Sequence, residues 1–149
     1  MSVYSRYKRD PDGFRKLVEL LETTPKERRE RMIEVGKKED YDYTEKALSY
    51  LMTFKDILEM KDEELAEVLV KAPPRMIAIS IARLNEDIQK KFLKNCKPQT
   101  LGQVRDFLDV KPGDREVGGA QLKLVASARE AERNGFIKTK RIPVSGNDS

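Results

Sequence analysis

Helix-breaking and helix-starting residues punctuate this chain at short intervals, and between them apolar side chains recur with a period near 3.6. Phe14, Leu17, Val18 and Leu21 fall at i, i+3, i+4 and i+7, one face of a short helix. Thr24-Pro25-Lys26-Glu27 then reads as an N-cap, a first-turn proline and a capping-box glutamate. That second helix is expected to end near Gly36, on a thin stripe of Met32, Ile33 and Val35. A third is expected from Asp42 or Thr44, with Ala47, Leu48, Leu51 and Met52 facing inward. Thr53-Phe54-Lys55-Asp56 repeats the capping logic for a short turn carrying Ile57 and Leu58.

Further on, Leu65, Val68, Leu69 and Ala72 form a face that Pro73-Pro74 stops, because proline cannot continue the hydrogen-bond ladder. Residues 76–82 are apolar on most sides. A buried central helix and a β-strand both suit that run, and Pro74 just ahead of it favours the helix. Leu84, Ile88, Phe92 and Cys96 follow at steps of four, then Leu101, Val104 and Leu108. After the break at Lys111-Pro112-Gly113, a last helix from about Asp114 carries Val117, Ala120, Leu124, Ala128 and Ala131. Gly118-Gly119 either allows close packing or a bend there, or marks the true start at Ala120. Asn134-Gly135 is a C-cap with Phe136-Ile137 packing back behind it. No alternating pattern competes, so the expected class is all-α, a stack of short helical hairpins similar in kind to armadillo layers.

Composition narrows the chemistry. The 149 residues contain no histidine and one cysteine, Cys96. His-based metal sites, Ser-His-Asp and Cys-His catalysis and an internal disulfide are therefore excluded, and a reducing cytoplasm fits. No enzyme, cofactor or metal is expected. Cys96 lies on an apolar stripe and reads as a small buried residue. The longest near-apolar run, residues 76–82, is far short of the roughly 20 residues a membrane helix needs. Lys and Arg total 30 against 26 Asp and Glu, a net charge of +4. Residues 1–12 and 138–149 read as disordered polar tails and carry +3 of that charge between them. The body is close to neutral, so nucleic-acid binding through the basic tails ranks third among the functional readings.

The order of motifs resembles one family, the C-terminal region of the flagellar motor switch protein FliG. Gly13-Phe14 leads into Leu17-Val18-Glu19-Leu20-Leu21, and Met52-Thr53-Phe54-Lys55-Asp56-Ile57-Leu58 looks like the family's hinge. Residues 63–69 and 88–95 resemble the helices that follow, and Ala120-Gln121 with Arg129 through Gly135-Phe136-Ile137 resembles the closing helix. The resemblance implies a helical subdomain over 13–51 and a six-helix domain over 52–137. It implies hinge residues Met52 and Phe54. It also implies a stator-facing charged surface, for which the candidates are Lys97, Arg105, Asp106, Asp109, Asp114 and Arg115.

Departures are visible in the same stretch. Gln99 stands where the family has an arginine, Phe107 replaces the second residue of an acidic pair whose first is Asp106, and Arg115 stands in for a later arginine. One hinge phenylalanine is missing, and the chain is expected to lack the family's N-terminal anchor and middle domain. The expectation is a stand-alone, non-enzymatic FliG-like protein, cytoplasmic, with the cytoplasmic face of the flagellar basal body as one location. It would contact FliG, FliM or other rotor and stator proteins. A FliG-like adaptor outside the motor is the alternative.

Overall fold

The computed structural model describes residues 3–143. Among these residues the chain forms ten helices and no strand. They are α1 (Val3–Arg9), α2 (Gly13–Thr23), α3 (Lys26–Glu39), α4 (Tyr41–Ser49), α5 (Phe54–Leu58), α6 (Asp62–Leu69), α7 (Pro74–Ile81), α8 (Glu86–Lys94), α9 (Pro98–Leu108) and α10 (Asp114–Arg133). They divide into two compact units. One holds residues up to Met52 together with those from Lys140 onward, and the other runs Thr53–Thr139.

In the first unit α1 packs on α2 and α3 on α4. Leu17, Val18 and Leu21 of α2 are fully buried, the face their spacing predicts, with Ala47 of α4 beside them. Phe14 meets the rings of Tyr43 and Tyr50 edge-on, each at 5.7 Å between centroids, a geometry the aromatic quadrupole favours. The expected tails are not tails over their described residues. Residues 3–9 are helical, Tyr4 is buried, and its hydroxyl donates to the Met32 carbonyl. At the other end Ile142 is buried in the same core. A single large side chain can anchor a segment that has no period, so composition alone misread both ends. Residues 1–2 and 144–149 of those expected tails lie outside the described residues.

Two boundaries also differ. The Thr24 hydroxyl donates back to the Leu20 carbonyl at 2.6 Å, so it closes α2, and α3 starts after Pro25 with no side-chain cap. α3 then runs through Gly36 to Glu39. Gly36 is an interior contact residue: a Cβ there would lie 2.5 Å from Tyr4 Cζ and 2.7 Å from Thr44 Oγ1. Val35, placed on the expected inner stripe, is half exposed. Asp40, rather than Asp42 or Thr44, caps α4 by accepting from the Tyr43 N–H.

The second unit is built around α7, which packs mainly on α10 and α9. Residues 77–81 are all buried, and the strand alternative fails because Pro74 opens a helix. A buried helix end must satisfy its last carbonyls. Gln121 Nε2 donates to the Ser80 carbonyl and Gln89 Nε2 to the Ile81 carbonyl, each at 3.0 Å. The predicted capping box on α5 is present, with Thr53 and Asp56 exchanging hydrogen bonds. Phe92 and Cys96 are buried, while Ile88 and Leu84 are only half buried and Leu84 precedes α8.

α10 begins at Asp114 and runs unbroken through Gly118 and Gly119. A Cβ at either glycine would meet nothing within 4 Å, so they neither start the helix nor permit close packing within the chain. Each still costs about 0.8–1 kcal/mol of helix stability relative to alanine. At the far end, the Phe136 N–H donates to the Ala131 carbonyl at 2.8 Å and the Gly135 N–H to Glu132 at 3.0 Å, with Gly135 at φ +81°. This is a Schellman cap. Ile137 packs back as expected, but Phe136 is 54% exposed. One feature of α10 escapes helical periodicity: Arg129 and Glu132 are both buried and paired at 2.8 Å.

Candidate functional site

α9 carries the candidate charged surface. Its inner side is set by Val104, fully buried, with Leu101 and Leu108 half buried on either flank. The opposite side presents Gly102, Arg105, Asp106 and Asp109, spaced i, i+3, i+4 and i+7, and all four are exposed. Lys97 is the exposed N-cap position of the same helix, at its other end, roughly 12 Å from Arg105 at 1.5 Å per residue. Lys97, Arg105, Asp106 and Asp109 form no ion pair among the described residues. By contrast, Lys94–Asp62 and Arg75–Glu116, both at 2.9 Å, tie neighbouring helices of the unit together.

Asp114 and Arg115 do not join that face; they open α10. Asp114 is paired with Arg83, whose other amine donates to the Pro112 carbonyl at 2.7 Å. The Arg83 hydrogen bond holds the Asp114 carboxyl below the usual range. Asp114 thus anchors the loop before α10, and the sequence carried no mark of Arg83 as its partner. Arg115 is exposed and lines a groove between α7 and α10. Gln99 is exposed and Phe107 half buried.

The hinge candidates fall on either side of the division between units, which lies between Met52 and Thr53. Met52 is buried in the first unit, and its N–H donates to Oε2 of the buried Glu22 at 2.6 Å. Phe54, half buried, is the first residue of α5 and stacks obliquely on Phe92 at 6.5 Å in the second unit. Glu22 was invisible to pattern reasoning, since a glutamate beside an apolar stripe ordinarily points to solvent.

No cluster among the described residues has the ligands to hold a metal ion, and no described helix is long and apolar enough to cross a membrane. Burial pushes the Cys96 thiol pKa up, away from a reactive thiolate.

Among the described residues the regular structure is all α-helical, the fold class that the comparisons share. Residues 36–138 match the family described as FliG C-terminal domain, and the chain belongs to that family. It is 32% identical over 129 residues to the flagellar motor switch protein FliG of Aquifex aeolicus, covering 85% of this chain and 39% of that protein. The chain therefore spans about two fifths of that curated relative. The structure of full-length FliG from Aquifex aeolicus superposes with a TM-score of 0.54 at 26% identity, covering 85% of this chain and 40% of that one. A crystal structure of FliG from H. pylori shares the fold with a TM-score of 0.62 at 18% identity, over 85% of this chain and 60% of that one.

Proposed function

We propose that this protein is a non-enzymatic, cytoplasmic component of a flagellar motor switch complex, meeting a charged partner through the exposed face of α9. The observation that carries this reading is the row Arg105, Asp106 and Asp109 around Gly102, unpaired by neighbours in a unit whose other charges are often paired. Exposed charges of both signs make contacts that are individually weak and salt-screened, as a surface that must engage and release requires. Gly102, where a Cβ meets nothing, leaves the backbone open at the centre of the face. Family membership supports the motor assignment and the absence of catalysis.

Contact with other rotor proteins, such as FliG or FliM, is assigned to the layer 14–51. There Met32 and the half-exposed Val35, with Tyr4 of α1 packed against them, line an apolar groove of about 290 Å³. The Met52–Phe54 step acts as the hinge, a reading supported by the two side chains being anchored in different units.

Co-purification from a flagellated host is the test. Recovery of switch proteins, and impaired swimming by a folded Asp106→Lys/Asp109→Lys variant, are expected. Recovery of no motor component together with unchanged swimming would refute the proposal. The second reading, a helical adaptor outside the motor, is favoured by Gln99 and Phe107 standing where the family has charges. It predicts recovery of a different complex.

A further inference from the structure

The chain passes between its two units twice. One passage is the Met52–Thr53 step, and the other is Thr139–Lys140, because the residues from Lys140 onward belong with the first unit. Both passages are rooted within a few residues on either side. At the first, Met52 is buried with its N–H on Glu22, while Phe54 stacks on Phe92. At the second, Ile137 is buried, and the Glu64 carboxylate accepts from the Lys138 N–H at 2.7 Å and from the Thr139 hydroxyl. Glu64 thus holds the end of the second unit's chain on α6. Ile142 is buried in the first unit's core with Leu17, Val18 and Leu21, and its carbonyl accepts from Arg15 at 3.5 Å.

Only Lys140 and Arg141 lie between those two roots, and neither is buried. Lys140, at φ +53°, is the one non-glycine residue in the left-handed region among the described residues. Side chains disfavour that conformation, and it persists where the surrounding structure imposes it. An extended chain spans at most about 3.6 Å per residue. Thr139 and Ile142 can therefore separate by no more than roughly 11 Å, and Met52 and Phe54 by roughly 7 Å.

We infer that Lys140 and Arg141 form a second pivot, and that residues 138–142 are a strap restraining the hinge. The inference rests on the reading of Met52–Phe54 as a hinge and deepens it. A body held by one short tether turns about any axis through that point. Held by two, it keeps rotation about the line joining them, and the tether lengths stop every other swing. Withdrawal of Ile142 from the first core is what frees the second unit for wider motion.

Pulsed dipolar EPR on the full chain tests this, with spin labels at Glu30→Cys in α3 and Lys90→Cys in α8, both exposed, and Cys96→Ala removing the native thiol. The distance distribution is narrow in the otherwise unchanged chain. Six Gly/Ser residues inserted between Lys140 and Arg141 leave both roots intact and add a leash of roughly 12–15 Å. The distribution then widens by on the order of 10 Å. Ile142→Asp, which expels the side chain from the core, widens it as well. Amide exchange on α2 and α6 peptides verifies that both units stay folded. A distribution already as wide before the insertion overturns the strap and leaves the hinge standing. Widening by Ile142→Asp without widening by the insertion traces to damage in the first core and also overturns the strap. A distribution that stays narrow in every variant refutes the hinge reading itself, and the strap with it.

Discussion

Gly36→Ala and Gly118→Ala are chemically the same substitution in two helix interiors, yet the structure predicts opposite outcomes. At Gly118 the new methyl group enters open space, so only the helical preference acts, and the second unit gains about 0.8–1 kcal/mol. At Gly36 the same gain is opposed by collision with Tyr4 and Thr44, both buried. Relief requires Tyr4 to shift, which disturbs its hydrogen bond to the Met32 carbonyl and its place in the core. Overpacking of this kind costs about 1–3 kcal/mol, leaving a net loss of roughly 0–2 kcal/mol after the helical gain. Two units need not unfold together, so native-state amide exchange is the assay, read separately on peptides of α3 and of α10. In a Tyr4→Ala background the Gly36→Ala penalty shrinks, with a coupling of about 0.5–3 kcal/mol typical of residues in contact. Equal stabilisation at both glycines, or no coupling to Tyr4, would show that α1 is not seated against α3 and would refute the reasoning.

Arg129→Met leaves the Glu132 carboxylate buried without the guanidinium 2.8 Å away, and is expected to destabilise the second unit by about 3–5 kcal/mol in a denaturant titration. Stability should also fall in acid through Glu64. Burial by itself would raise its pKa, but hydrogen bonds from the Lys138 N–H and the Thr139 hydroxyl outweigh burial and lower it. Its contribution is complete above the ordinary glutamate value near 4.3 and is lost as pH falls through the lower folded value. Asp62, lowered by hydrogen bonds from Lys94 and Asn95, acts in the same sense. Glu64→Gln should flatten the acid limb of a stability-against-pH curve, and an unchanged limb would remove Glu64 from the account.

What the sequence determined by itself is the local grammar. The Thr53 capping box, the Pro73-Pro74 boundary, the burial of Leu17, Val18 and Leu21 and the cap at Gly135 follow from backbone hydrogen bonding and side-chain period, which neighbours in sequence decide. The α9 charged face was half legible. Spacing puts Arg105, Asp106 and Asp109 together, but only the fold reveals that Asp114 is spent on Arg83 and that Arg115 lines a different groove. Everything else the tertiary structure decided turns on partners distant in the chain. Tyr4 and Ile142 became core because a single apolar side chain can find a cavity without belonging to a periodic run. Glu22 could be buried because the fold brought it the backbone N–H of Met52, and Gly36 is a contact glycine because Tyr4 of α1 and Thr44 of α4 come to lie against it. Burial of a polar group is set by the partner that satisfies it, and no local pattern records who that partner will be.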